Sequence, residues 1–157
     1  MTIGDTDSRL SDEFEVAHIQ DMRQCVAVRR GHPVLQARSA AALVQCEWVA
    51  TQPIGGGGQN QLLAMFEAAG VAPPERVIMC EALQAMVLLR SSDSVSVMLR
   101  ASLALPEMQD MVAIDGTGLQ PPDVALMRVS RSDVPLTRAG EYFAHCLEQT
   151  VRGAKFD

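Results

Sequence analysis

Apolar and polar positions along this chain repeat with a period of two in some stretches and of 3.6 in others, and the two periods take turns. Residues 13–18 (Glu-Phe-Glu-Val-Ala-His) alternate, with Phe14 and Val16 on one face, until Ile19 breaks the alternation. This predicts a half-buried strand. Cys25 to Arg29 predicts a second, more apolar strand, stopped by Gly31-His32-Pro33, where Gly permits an odd turn and Pro removes a donor. Ser39 to Gln45 is Ala-rich and predicts a helix with Ser39 as its N-cap. Cys46 to Thr51 predicts a short buried strand carrying Trp48.

After Gln52-Pro53-Ile54 come four glycines, Gly55 to Gly58, and then a predicted helix over Gln59 to Ala69. Leu62, Leu63, Phe66 and Ala69 share one face of it. Gly70 stands where a helix-ending glycine belongs, and Pro73-Pro74 prevents continuation. Arg76 to Cys80 predicts a strand, Ala82 to Arg90 a helix, Ser91 to Ser94 a turn, and Val95 to Leu99 a strand. Ala101 to Leu105 predicts a single helical turn ended by Pro106, Met111 to Ile114 a strand, Gly116 to Pro122 a loop, and Asp123 to Val129 a longer strand. The last element is the clearest. Thr137 is the expected N-cap, and Ala139, Tyr142, Phe143, Cys146, Leu147 and Thr150 form one stripe over four turns, ended by Gly153.

Strand and helix in this succession predict α/β layers on a mainly parallel sheet. In such sheets ligands sit beyond the carboxyl ends of the strands, against helix N-termini. The junctions at residues 51–60, 80–83 and 98–101 qualify.

Composition narrows the function. The 157 residues are 48% hydrophobic and 20% charged, the balance of one globular domain able to build a core without staples. No run of 18 apolar residues predicts a membrane span, and Met1 to Leu10 lacks the apolar stretch of a secretory signal, so a cytoplasmic protein is expected. The net charge is −6, and the densest basic stretch is Arg29-Arg30, too short for a nucleic-acid stripe. Cys25, Cys46, Cys80 and Cys146 form no C-x-x-C, which argues against zinc and predicts reduced, buried thiols. His18, His32 and His145 are scattered, no Ser lies in G-x-S-x-G, and the acidic pairs Asp5/Asp7 and Asp12/Glu13 fall in a segment that reads as solvated. No nucleophile–base set emerges, so no enzyme and no cofactor are expected. His32 reads as a turn residue, Trp48 as core.

Six segments, in order, resemble the effector-binding region of LysR-type transcriptional regulators. They are Val26 to Pro33 with its strand ending in G-H-P, Leu43 through Trp48-Val49-Ala50, Phe66 to Gly70 with Pro73-Pro74, Ala82 to Val87, Val124 to Arg131, and Pro135-Leu136-Thr137-Arg138-Ala139 with Phe143. The resemblance implies an α/β, periplasmic-binding-protein-like (type 2) effector-binding fold. It implies a division into residues 1–29 (end of the first subdomain and crossover strand), 30–125 (a complete second subdomain) and 126–157 (return strand and C-terminal helix of the first). Family members are roughly twice as long and read DNA through a helix-turn-helix that this chain lacks. Two departures fall at the cleft. Ser94 and Leu99 stand where the family usually has Gly and Pro, and the tetraglycine replaces larger residues.

The glycines before a helix suit an anion, since free N–H groups and the helix dipole face it, but no Lys-Ser/Thr pair follows as a phosphate loop requires. A carboxylate or sulfonate inducer at this helix N-terminus would be held by Thr51, Gln52, Gln59 or Asn60, the region the family's inducers also contact. With Ile54, Gly58, Ala82 and Met98 these form the candidate ligand set. Glu81 reads as a first-turn or capping carboxylate. The expected function is binding of a small anionic or aromatic-acid inducer between subdomains, with self-association through the C-terminal helix and DNA reached only through the absent helix-turn-helix. Two other readings are an association module without ligand, supported by the apolar stripe of the final helix, and a thiol redox sensor using Cys46 and Cys80.

Overall fold

The computed structural model describes residues 13–36, 39–51 and 58–153. In chain order the elements are β1 (Phe14–Met22), β2 (Gln24–Arg29), a 3-10 turn (Pro33–Gln36), α1 (Ala40–Val44), β3 (Glu47–Thr51), α2 (Gly58–Ala68), β4 (Val77–Cys80), α3 (Ala82–Ser91) and β5 (Ser94–Leu99). Two 3-10 turns (Arg100–Ala104 and Pro106–Met108) lead to β6 (Met111–Ile114), β7 (Val124–Arg131) and α4 (Arg138–Gly153).

The local signals explain several of these boundaries. Gly70 adopts φ +68°, its N–H donates to the Glu67 carbonyl at 2.9 Å, and the Val71 N–H donates to the Phe66 carbonyl at 3.1 Å. That double closure ends α2 and requires the left-handed conformation that glycine takes without strain. Thr137 caps α4 by accepting from the Gly140 N–H at 3.2 Å. Ser39 has the extended backbone of an N-cap before α1, but its side chain makes no capping bond.

Five strands form one sheet in the order β4-β3-β5-β2-β6. β3 runs parallel to β4, with Trp48 opposite Val77 and Thr51 opposite Cys80, and parallel to β5. β2 runs antiparallel to both β5 and β6. The mainly parallel sheet expected from the sequence is therefore mixed. The connection from β2 through α1 to β3 enters the sheet one strand away, and β2 fills the place between β5 and β6 in the opposite direction.

This sheet is covered on both faces. Val26, Val28, Leu43, Trp48, Phe66 and Val95 pack on the side of α1 and α2. Cys25, Ala27, Val49, Ala85, Leu89 and Met111 pack on the side of α3. Burial on both faces is why β2 reads as a continuous apolar run. Trp48 is fully buried, meets Phe66 edge to face at 5.2 Å between ring centres, and donates its indole N–H to the Leu43 carbonyl at 2.9 Å.

β1 and β7 form a separate antiparallel ribbon from Phe14–Arg131 to Met22–Val124, with a register shift between His18 and Gln20. Ile19, where the alternation breaks, is the extra residue of that bulge, and it is buried with Leu126 and Val151. α4 rests on the ribbon through Ala144, Val151 and half-buried Leu147, with Arg128 Nε 3.5 Å from the Glu148 carboxylate. The apolar stripe read from the sequence is seated only in part: Leu147 packs on the ribbon, while Tyr142 and Phe143 are 71% and 68% exposed. The seated face, Ala144, Leu147 and Val151, is offset from the two rings.

Candidate functional site

The carboxyl ends of β3, β4, β5 and β6 and the start of β2 meet at one edge of the five-stranded sheet. At the β5–β2–β6 half of this edge lies a polar pocket of about 770 Å³ lined by Arg23, Gln24, Arg100, Asp115, Gly116, Gly118, Gln120 and Asp123, among others. One wall is the sheet. The other is built by the segments that lead to the ribbon, Arg23 on one side and residues 115–123 on the other.

Chain geometry holds these groups in place. The Arg100 N–H donates to the Arg23 carbonyl at 2.9 Å, which locks the end of β5 to the start of β2. The Arg100 guanidinium donates to Asp115, and this bond raises its pKa further above the usual range, so its charge is fixed. Gly116 and Gly118 take φ of +77° and +87°. A side chain at either position would be strained, so the loop stays tight against the pocket mouth. The Gln24 side-chain oxygen is buried without a hydrogen-bond partner among the described residues. Arg23 has no ion-pair partner among the described residues either. The pocket thus offers one engaged and one open guanidinium, the Asp115 and Asp123 carboxylates, and loop backbone.

The residues expected from the sequence fall mostly on the other half of the same edge. Thr51 ends β3, half-buried, opposite Cys80. Gly58, Gln59 and Asn60 are the first residues of α2. Ala82 opens α3 and is exposed. Gln52 and Ile54, with Gly55 to Gly57, lie outside the described residues. Met98 is half-buried in the apolar cluster on the α3 face and does not line the pocket. Glu81 precedes α3, and its backbone N–H donates to Gln84 Oε1 at 3.2 Å, the Gln84 half of a capping box. Arg23, Gln24, Arg100 and Asp115 were missed. The signal for them was present: Arg100 follows directly on the predicted strand to Leu99, and Asp115-Gly116 follows directly on Met111 to Ile114.

Four thiols are free. Burial pushes the Cys25 and Cys46 thiols up, with Asp93 adding to the effect at Cys46, so neither is activated as a thiolate. The proposed Cys46–Cys80 pair does not meet. Thr51 is the neighbour of Cys80 across the parallel ladder, and Cys46 precedes Thr51 by five positions, about 16 Å along the strand. A disulfide needs Cα atoms within about 7 Å. Among the described residues no three His, Cys, Asp or Glu side chains are grouped to hold a metal ion.

A mixed sheet covered by helices, with a polar pocket where two crossing segments lead to a second body, defines an effector-binding module. Its fold is the α/β, periplasmic-binding-protein-like (type 2) effector-binding fold. Residues 2–152 match the LysR substrate binding domain family, and the chain belongs to it. Over 92 residues it is 34% identical to the HTH-type transcriptional regulator GbpR of Azospirillum brasilense, a match covering 56% of this chain and 27% of that protein. The probable transcriptional regulator PA0477 of Pseudomonas aeruginosa superposes with a TM-score of 0.67 at 20% identity, over 91% of this chain and 46% of its own. The effector binding domain of QuiR, solved in complex with shikimate, superposes with a TM-score of 0.65 at 12% identity, over 90% of this chain and 67% of its own. The chain spans about half the length of the first of these solved regulators.

Proposed function

We propose that this chain is the effector-binding and regulatory part of a LysR-type transcriptional regulator, and that a small organic acid is its inducer. The pocket at the carboxyl edge of the sheet carries this reading, because it places the open guanidinium of Arg23 and the fixed charge of Arg100 in one polar cavity. A carboxylate suits such groups through charge-assisted hydrogen bonds. In this reading the inducer also meets the residues expected from the sequence, Thr51, Gln52, Ile54, Gly58, Gln59, Asn60, Ala82 and Met98. Shikimate in the QuiR domain supports the acid class.

In this reading the ribbon with α4 belongs to the first subdomain and the five-stranded sheet to the second, following the division at 1–29, 30–125 and 126–157. DNA is reached through a helix-turn-helix outside these residues, and the regulator works in the cytoplasm. No described helix is long and apolar enough to cross a membrane. In this reading the chain binds its inducer and catalyses no reaction, as the family's regulatory role requires.

Calorimetric titration with a panel of aromatic and hydroxylated carboxylic acids tests the proposal. One or more should bind, and Arg23→Gln should weaken that acid about ten-fold, the cost of one charge-assisted bond. Absence of binding across the panel, or affinity unmoved by Arg23→Gln and Arg100→Met, overturns it.

Exposed Tyr142 and Phe143 favour a second activity alongside the first, self-association through α4. Sedimentation should show concentration-dependent dimers that Tyr142→Ser with Phe143→Ser abolishes. A monomer at all concentrations sinks this second activity and leaves the first intact.

A further inference from the structure

The cleft pocket carries charge of both signs. Four charged side chains line it: Arg23, Arg100, Asp115 and Asp123. The Arg100 guanidinium donates to Asp115, so these two answer each other. Arg23 and Asp123 are left over, one cation and one anion, and both are exposed. Neither has an ion-pair partner among the described residues.

The ribbon decides where these two stand. Met22 pairs with Val124 at the end of the β1–β7 ladder, so Arg23 and Asp123 are the next residues outward on the two strands. Paired strands run about 5 Å apart, so the two backbones leave the ribbon side by side. The Arg23 carbonyl accepts the Arg100 N–H at 2.9 Å, which fixes that backbone against the sheet. Both side chains line the cavity without meeting. An exposed arginine–aspartate pair gains little by closing, so a ligand that meets each group separately displaces nothing costly.

The leftover charges indicate the ligand. A plain carboxylate answers Arg23 but leaves Asp123 facing a group of its own sign. A molecule with a carboxylate and an ammonium on one carbon answers both through charge-assisted hydrogen bonds. We infer that the cleft takes a zwitterionic amino acid, its carboxylate on Arg23 and its ammonium on Asp123. This rests on the cleft reading above and narrows its acid class. Arg23 then supplies affinity for any acid, and Asp123 supplies the preference for the amino form.

Calorimetric titration of the intact chain with the common L-amino acids tests it, together with analogues that lack the amino group. The matched series are alanine, lactate and propionate; aspartate, malate and succinate; and phenylalanine, phenyllactate and hydrocinnamate. At least one amino acid should bind, about ten-fold tighter than its hydroxy or plain analogue, the worth of one charge-assisted bond. Asp123→Asn should erase that preference and leave the plain acid unweakened. Arg23→Gln should weaken every member of the series. Glu107→Gln, at an exposed carboxylate outside the pocket, removes the same charge and should leave the order unchanged. A plain or hydroxy acid that binds as tightly as its amino acid overturns the zwitterion and leaves an acid inducer standing. So does a preference that survives Asp123→Asn. Silence from every amino acid overturns it as well, and the panel of aromatic and hydroxylated acids then decides the cleft reading separately.

Discussion

The five-stranded body and the β1–β7 ribbon use the same kinds of residues to different ends. The body buries side chains on both faces of its sheet, and its two clusters run from Val26 to Leu119 and from Cys25 to Met111. The ribbon with α4 gathers only Ile19, Leu126 and Val151 into a buried cluster, and it leaves Phe14, Val16, Tyr142 and Phe143 at 39%, 42%, 71% and 68% exposure. Apolar content alone does not make a core. A strand gains one when it has cover on two sides, and β2 has that while β1 does not.

The sharpest way to break this contrast is at Trp48. Trp48→Ala removes a fully buried ring, its contact with Phe66 and its bond to Leu43, and should cost about 3–5 kcal/mol, read as a lower midpoint in urea unfolding. A loss below about 1 kcal/mol would mean the body does not depend on that ring. Ile19→Ala should cost about 2 kcal/mol, and the loss should stay local. Hydrogen exchange should speed up in β1 and β7 while β3 and β5 keep their protection. Uniform acceleration would show that the two regions unfold as one.

A smaller effect concerns pH. Burial raises the Cys25 thiol above its ordinary value of 9.0, so the folded state holds that proton more tightly than the unfolded chain. The associated stability is fully present below about pH 9 and is lost as pH climbs through the raised value. Cys25→Ala should flatten the alkaline limb of a stability–pH curve relative to wild type, and an unchanged slope would remove the thiol from that limb. The smallest expected effect on stability is that of Tyr142→Ser with Phe143→Ser, within about 0.5 kcal/mol in the dilute monomer, because neither ring is packed. A larger cost at high dilution would show that the rings are covered by the chain itself.

Much of the fold was legible from residue order. Gly70 with Pro73-Pro74 marked the end of α2 and Thr137 marked the start of α4, because each acts through its own backbone, whereas the break at Ile19 read as the end of a strand and is a bulge within β1, which runs on to Met22. Strand direction was not legible. β2 is antiparallel to its neighbours, and periodicity carries no sign that separates the two directions. For the candidate site, residue order pointed only to the helix-bearing side of the sheet edge. Thr51, Gly58 and Ala82 follow from the rule that ligands meet helix N-termini. Arg23, Arg100 and Asp115 lie 15 to 92 residues apart and meet only because β5, β2 and β6 are neighbours in space. The α4 stripe taught a different limit. A stripe measures how much surface wants covering, not how much of it the same chain covers.

The body and the ribbon are joined along the described chain at two places, the single residue Arg23 between β1 and β2, and residues 115–123 between β6 and β7. Two short links side by side make a pivot, which permits rotation about one line and resists sliding. The pocket that holds Arg23 and Asp115 is lined by residues of both links. On the inducer-binding reading, occupancy at the pivot would set the angle at which Tyr142 and Phe143 are presented.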